Sequence, residues 1–187
     1  DSYGRHAMQC PYSLQTLMHT SAKTEIYNFV KTISYAHGSG VKRVEMEESG
    51  LVEHGLRPGD VCFQHQGRQF TVDFFSVDSS VDSHAGKCVE DLFAAAEEEK
   101  RAHYAAACAG QDVTFFTFGM DVMGRLSGSA EQFVRWMCNC VPDPVGGRAR
   151  LVNYWSRRIV VASMKKKMEL LVAQAPVFCV PGLFSCR

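Results

Sequence analysis

Residues 60–77 read DVCFQHQGRQFTVDFFSV and predict a β-hairpin. Two runs rich in Phe and Val, residue types that favour strands, flank Gln66 and Gly67. Glycine readily adopts the positive φ of a two-residue hairpin turn. A turn of that length at that place fixes how the two strands pair, and it puts Asp60 directly opposite Asp73 on one face.

The pair Asp60 and Asp73 is the main site prediction. Directly opposed residues of antiparallel strands have Cβ atoms roughly 4.5–5.5 Å apart. Two carboxylates so close repel each other unless a cation lies between them, and hard oxygen ligands suit Mg²⁺ or Mn²⁺. Two alternatives remain: Asp60 caps the preceding loop, or Asp73 is exposed on a sheet edge. A register slip of one residue would put the two carboxylates on opposite faces.

Outside the hairpin, the spacing of apolar residues predicts an α-β-β-β-α-β order followed by further helices. The predicted helices span residues 20–36, 88–109, 129–140 and 149–174, and the predicted strands span residues 41–46, 60–65, 68–77 and 113–118. This order is typical of an α/β fold with a mixed sheet flanked by helices. We expect a loose lead-in at 1–19, an α/β core at 20–125, a C-terminal helical extension at 126–175 and a flexible tail at 176–187.

Lys100 lies on the apolar stripe of the second long helix. It falls four residues after Ala96 and four before Tyr104, so its side chain is predicted to face inward. A buried lysine needs a partner. If the helix packs on the sheet, the ammonium group can reach the two aspartates and there stabilise a phosphate or orient water. Alternatively, Lys100 extends outward along its stem or pairs with Glu97, and Lys87 is a weaker candidate.

The composition limits the function classes. The 187 residues are about one domain, and 20 basic residues balance 20 acidic ones, so no global positive field attracts nucleic acid. The eight cysteines form no C-x-x-C pair, which favours an intracellular, reducing location. Cys138 and Cys140 form a C-x-C without a second half at zinc spacing. We see no secretory signal and no apolar run of about 18 residues. The opening residues, Asp1 and Ser2, suggest a piece of a longer chain.

A cluster of seven basic residues lies near the C-terminus, without an acidic residue between the first and the last. Its members are Arg148, Arg150, Arg157, Arg158, Lys165, Lys166 and Lys167. Tyr154 and Trp155 lie among them, so the segment can contact phosphates and stack on an exposed base. The alternative, which the pattern alone favours, is a solvated helix face with Trp155 in the core.

The run Gly55–Val61, GLRPGDV, with Asp73 beyond it, resembles the Arg-Pro-Asp…Asp signature of restriction-like endonuclease domains. These PD-(D/E)XK domains lie downstream of the reverse transcriptase in some non-LTR retrotransposons. Further similar positions are His19, Gly40–Val41, Glu45, Gly50–Leu51, Glu98–Lys100, Tyr104–Ala105, Val113–Gly124 and Tyr154–Arg158. The likeness covers about residues 10–175. Departures from the family pattern occur at Gly59, Phe75 and Asp121.

The resemblance implies a restriction-endonuclease-like core and Mg²⁺-dependent cleavage of DNA, in which a nick exposes a 3′-hydroxyl that primes reverse transcription. Asp60 and Asp73 would be metal ligands, Glu45 an additional carboxylate and Lys100 the catalytic lysine. DNA, an upstream reverse transcriptase in the same polyprotein and a nuclear location are implied as well.

Two other functions stay open. Phe75 stands where the family's D-x-K lysine is expected, which favours a catalytically inactive module that binds nucleic acid or a partner protein. The eight cysteines and seven histidines also leave room for a cysteine-based enzyme or a zinc protein.

Overall fold

The computed structural model describes residues 14–47, 59–78, 84 and 86–174. Its elements are α1 (Leu14–Ser34), β1 (Val41–Met46), β2 (Val61–His65), β3 (Arg68–Val77), α2 (Val89–Gly110), β4 (Val113–Asp121), α3 (Gly128–Asn139) and α4 (Arg148–Gln174). The predicted α/β fold and the order of its elements are confirmed. The Arg57-Pro58 part of the motif, Gly50–Leu51, residues 1–13 and the predicted tail at 176–187 lie outside the described residues.

Two boundaries differ from the prediction. Helix α1 begins at Leu14 instead of residue 20, so the end of the expected lead-in is helical. Met18 continues the buried stripe of this helix, which explains the earlier start. Strand β4 continues to Asp121, because it pairs with β3 over almost the whole length of that strand. None of the described helices has both the length and the apolar character that a membrane span needs.

The four strands form one mixed sheet in the order β1-β2-β3-β4. The pairs β1–β2 and β2–β3 are antiparallel, whereas β3 and β4 are parallel. A parallel connection requires a crossover, and α2 provides it. Strand β3 therefore has a neighbour on each side, and its burial is nearly continuous, as expected for a strand covered on both faces.

The hairpin has the predicted register. His65 pairs with Arg68, and Val61 pairs with Val72. Gln66 and Gly67 both have positive φ, 50° and 82°, as a two-residue type I′ turn requires. The observed pairing ends at Val61 and Val72. The Asp60 N–H donates to Val72 O, so the predicted direct pairing of Asp60 with Asp73 is not part of this register.

Helices cover the sheet on both faces. One face packs against α1, α3 and α4, where Phe74, Phe133 and Trp155 belong to the main core. On the other face, Phe75 packs with Phe93 of α2 in a smaller cluster. Since side chains alternate along a strand, Asp73 lies on the same face as Phe75, towards α2. The predicted C-terminal extension shares its core with the sheet.

Candidate active site

Asp60 is held across the hairpin. Its backbone N–H donates to Val72 O at 2.8 Å, and its Oδ2 accepts from the backbone N–H of Phe74 at 2.8 Å. These two bonds lie on either side of Asp73, and both carboxyl residues are less than a tenth exposed. The carboxylate of Asp60 thus binds the neighbouring strand, in contrast to the alternative of a loop cap.

Gly59 permits this close approach. A Cβ at this position would lie 2.3 Å from Thr71 Oγ1 and 2.8 Å from Val72 O. Any side chain would therefore push the chain away from β3. The glycine that separates Pro58 from Asp60 in the sequence motif has a steric reason to be there.

Asp73 lies in the interior of the sheet. It pairs in register with Thr117 of the parallel neighbour β4 and is 7% exposed. The alternative of a solvent-exposed aspartate on a sheet edge was therefore wrong. Within the described part of the chain, Thr117 Oγ1 is a buried oxygen without a hydrogen-bond partner. Asp73 and Thr117 are therefore two neighbouring buried polar residues in a sheet whose other buried side chains are mostly apolar.

Lys100 reaches Asp73 from α2, as its position on the helix predicted. The distance from Lys100 Nζ to Asp73 Oδ2 is 2.7 Å, and the ammonium also lies 6.0 Å from the ring centre of Tyr104. Glu97, the alternative partner, pairs with Arg101 instead. A surface cavity of about 460 Å³ on α2 is lined by Glu99, Lys100, Ala102, His103 and Tyr104.

Burial dominates the electrostatics of the pair. It raises the pKa of Asp73, and the nearby Asp60 raises it further, while Lys100 acts in the opposite direction without cancelling the effect. Burial lowers the pKa of Lys100, but the contact with Asp73 outweighs it, so the net pKa is raised. The Lys100 ammonium contacts Asp73 Oδ2, which is a buried oxygen. This buried oxygen can still accept a cation or a proton.

His19 is a site residue to which the sequence assigned no role. Its Nε2 lies 3.4 Å from Asp60 Oδ2, and its ring meets that of Phe74 edge to face at 5.3 Å between centres. The sequence carried one signal, because His19 borders the buried stripe of Met18 and Ala22 on α1. The Asp60 carboxylate thus contacts a helix from one face of the sheet and Asp73 contacts a helix from the other, so the prediction that both lie on one face is not confirmed.

Glu45 does not complete a metal site with the two aspartates. It is exposed and pairs in register with Cys62, whereas the backbone N–H of Glu47 donates to Asp60 O. The side chain of Glu47 forms an ion pair with Lys23. In the described ranges, no group of three or more His, Cys, Asp or Glu side chains is arranged to hold a metal ion. The hairpin contributes two buried carboxylates here, those of Asp60 and Asp73.

The predicted basic segment divides into two faces of α4. Arg148, Arg150 and Arg157 are exposed, Arg158 pairs with Glu25, and Lys165 and Lys166 lie near Glu169. Lys167 does not belong with them, because it is 5% exposed and donates to Val122 O at 2.8 Å. Burial lowers the pKa of Lys167. Trp155 is buried against Phe29, so it is a core residue, as the alternative expected.

The cysteines form no arrangement that favours thiol chemistry. The five in the described ranges are all free. Cys140 Sγ lies 4.0 Å from His65 Nε2, but burial raises the pKa of Cys140 and raises that of Cys138 to about 12. Reactive cysteines need the opposite shift.

Comparison of the sequence with protein-family models and with curated proteins found no match. The functional inference therefore rests on the site and on the resemblance of the motif residues.

Proposed function

We propose that this chain is a metal-dependent endonuclease domain with a PD-(D/E)XK-like core that nicks DNA. One observation carries the proposal: Asp60 and Asp73 lie side by side on a hairpin, and Lys100 reaches Asp73 from the crossover helix. Two acids and a lysine are the groups that hydrolysis of a phosphodiester needs. The sheet order and the parallel β4 agree with such a core.

The residues present fit Mg²⁺ or Mn²⁺. Asp73 Oδ2 is a buried carboxylate oxygen that contacts the Lys100 ammonium at 2.7 Å, and the Asp60 carboxylate is near enough to raise the pKa of Asp73. Mg²⁺ commonly takes only one or two protein carboxylates, with water and substrate phosphate as its other ligands. Asp60 and Asp73 would hold the ion. When bound, it would polarise the phosphate and lower the pKa of bound water.

The remaining groups have distinct proposed roles. The ammonium of Lys100 stabilises negative charge on the phosphate and orients the attacking water. The imidazole of His19 and the Phe74 N–H hold the Asp60 carboxylate in one orientation. Water attacks phosphorus and gives up a proton, the bond from phosphorus to the 3′-oxygen breaks, and that oxygen takes up a proton, which leaves a 5′-phosphate and a 3′-hydroxyl.

The basic face of α4 supports DNA as the substrate, because Arg148, Arg150 and Arg157 are exposed. The further proposals are an upstream reverse transcriptase in the same polyprotein, retrotransposon origin and a nuclear location. They rest on the motif resemblance alone.

The test is nicking of supercoiled plasmid by the purified chain with Mg²⁺, with Mn²⁺ and with EDTA. Asp73→Ala removes a proposed ligand, and Asp91→Ala replaces an exposed aspartate of α2 as the matched control. The proposal expects metal-dependent nicking that Asp73→Ala abolishes and Asp91→Ala retains. Nicking that persists in Asp73→Ala would overturn the assignment of the site.

The second candidate is a catalytically inactive module that binds nucleic acid or a partner protein. Phe75 favours it, because the position of the family's lysine is filled by a ring that packs against Phe93. This candidate predicts that all three proteins are inert on plasmid with every metal, yet retard DNA equally on a gel.

A further inference from the structure

The outer face of α4 carries a groove of about 760 Å³. The residues that matter for its chemistry are Arg150, Asn153, Tyr154, Arg157, Arg158 and Val161. They recur every three or four residues, so they share one side of the helix. Trp155 and Ile159 face the core from the other side. Among the described residues that line the groove, none is acidic.

Tyr154 is an exposed ring in a fixed position. It is 51% exposed, and its hydroxyl accepts a hydrogen bond from Arg158 Nη1 at 3.0 Å. Arg158 is itself held by α1, since its Nε donates to Glu25 Oε2 at 2.8 Å. The phenol ring is therefore oriented before a ligand arrives. Such preorganisation lowers the entropy lost on binding.

Two further guanidinium groups flank the ring. Arg150 and Arg157 are exposed and have no ion pair within the described ranges. Gly146 gives Arg150 its space, because a Cβ there would lie 2.9 Å from Arg150 Cδ. Arginine binds phosphate in a two-pronged geometry, and the amide of Asn153 offers a donor and an acceptor. The groove thus combines positive charge with an aromatic face.

We propose that this groove binds an unpaired nucleic-acid strand, with a base stacked on Tyr154 and phosphates on Arg150 and Arg157. An exposed ring requires an exposed base face, and the bases of a duplex are already stacked on each other. The positive charge of the arginines favours a polyanion as the ligand. The exposed ring favours a single strand over a duplex, because only an unpaired strand has a free base face.

The groove is connected with the candidate active site along α1. Helices α1 and α4 run in opposite directions, because Arg158 contacts Glu25 while Lys165 and Lys166 share a cleft with Thr20. The adjacent residue, His19, contacts Asp60. A strand held on α4 that continues past this cleft, which also contains Glu25 and Glu169, would approach Asp60. In this respect the inference rests on the proposed function, because a nicked or opened duplex supplies the unpaired strand.

Fluorescence anisotropy in EDTA tests the groove without metal or cleavage. The probes are a labelled single strand of about 12 nucleotides, a duplex of the same sequence and labelled polyglutamate. The variants are Tyr154→Ala, Tyr154→Phe and, as a matched control, Tyr35→Ala, which replaces an exposed tyrosine of the α1 end. Thermal melting by circular dichroism verifies that each variant is folded.

We expect the single strand to bind more tightly than the duplex. Tyr154→Ala should weaken its binding about 5- to 150-fold, the range for loss of one stacked base. Tyr154→Phe keeps the ring and should stay within roughly threefold, since it loses one exposed hydrogen bond. The control Tyr35→Ala should bind as the wild type does.

Equal binding of the single strand by Tyr154→Ala and Tyr35→Ala overturns the proposal. Binding of polyglutamate as tight as that of the oligonucleotide also overturns it and identifies a surface for acidic polypeptides. The plasmid assay separates the two proposals. If Tyr154→Ala loses strand binding but the wild type never nicks plasmid, only the nuclease is refuted. If the wild type nicks plasmid but Tyr154→Ala binds the strand normally, only the groove is refuted.

Discussion

The variant Asp73→Asn should be more stable than the wild-type chain when no divalent metal is present. Burial raises the pKa of Asp73, and Lys100 offsets this only in part. The ionised carboxylate is thus less favourable in the folded chain than in water. Asparagine has nearly the same shape without the charge, so the substitution removes an unfavourable group. Lys100 loses the contact that raises its pKa, but its side chain is 34% exposed, so water can solvate the ammonium in place of the carboxylate.

The pH dependence follows from the direction of this shift. Below the ordinary pKa of Asp73, 3.8, the residue is protonated in the folded and the unfolded chain, and the variant has no advantage. As pH rises through the raised pKa of the folded state, the wild type loses stability because the folded chain binds more protons than the unfolded one. The advantage of Asp73→Asn should therefore grow between pH 3.8 and that pKa and be complete above it.

The expected gain is on the order of 1 kcal/mol, which is common when a residue kept for function is replaced. For a chain of this length, it corresponds to a Tm increase of about 2–4 °C. Mg²⁺ should reverse the difference, since an ion at about ten times its Kd stabilises the wild type by about 1.4 kcal/mol. Asp73→Asn should show little response to Mg²⁺.

Calorimetric melts in EDTA and in Mg²⁺, from pH 3 to pH 8, measure all of these quantities. Asp91→Asn serves as the control, because this aspartate is exposed and should change Tm little in either condition. A lower Tm for Asp73→Asn in EDTA at neutral pH would refute the reasoning. It would mean that the Lys100 ion pair stabilises the fold by more than the burial of the carboxylate costs.

Lys100, Gly59 and the buried thiols give three further predictions. Lys100→Ala should slow plasmid nicking at least about 100-fold and Lys100→Arg should slow it less; equal initial rates for Lys100→Ala and the wild type would contradict the proposed role. Gly59→Ala should lower the free energy of unfolding in urea by about 1–3 kcal/mol, because its Cβ would lie 2.3 Å from a hydroxyl oxygen of β3. The control, Gly128→Ala, meets nothing within 4 Å and should shift that free energy by no more than about 1 kcal/mol. Iodoacetamide at pH 8 should label the exposed Cys88 and spare Cys138, whose pKa burial raises to about 12; equal labelling in a peptide map would show that Cys138 is accessible.

The hairpin could be predicted because local chemistry determines it. A two-residue turn at Gln66 and Gly67 leaves one pairing for the flanking strands, and that pairing is observed. Lys100 was predictable for a similar reason, since helical spacing alone puts it on the inward stripe. Both inferences depend on residues close together in the chain.

Glu45 shows where such local inference ends. The pairing of β1 with β2 shifts between Lys42 and Glu45, and Arg43 has a positive φ of 50° there. This irregularity adds a residue to β1 and puts Glu45 opposite Cys62. Alternation in the sequence does not reveal a bulge, because every residue type around it also fits a regular strand.

Lys167 shows a different limit, because the sequence did carry its signal. The buried positions of α4, Trp155, Ile159 and Ser163, recur every four residues, and Lys167 is the next in that series. The basic residues are continuous in the sequence, but the helix divides them between two faces. His19 had a weaker signal. Its contact with Asp60 depends on how α1 packs against the end of the sheet. The local sequence around His19 or Asp60 does not specify that packing.

Phe75 connects these observations with the question of activity. Strand alternation puts position 75 on the same face as Asp73, so a lysine at 75 would lie under α2. Phe75 instead packs against Phe93 and helps to dock α2 on that face. The docked helix is what brings Lys100 within 2.7 Å of Asp73. A phenylalanine in the motif position is therefore compatible with the proposed nuclease, because it supports the helix that supplies the lysine from another direction.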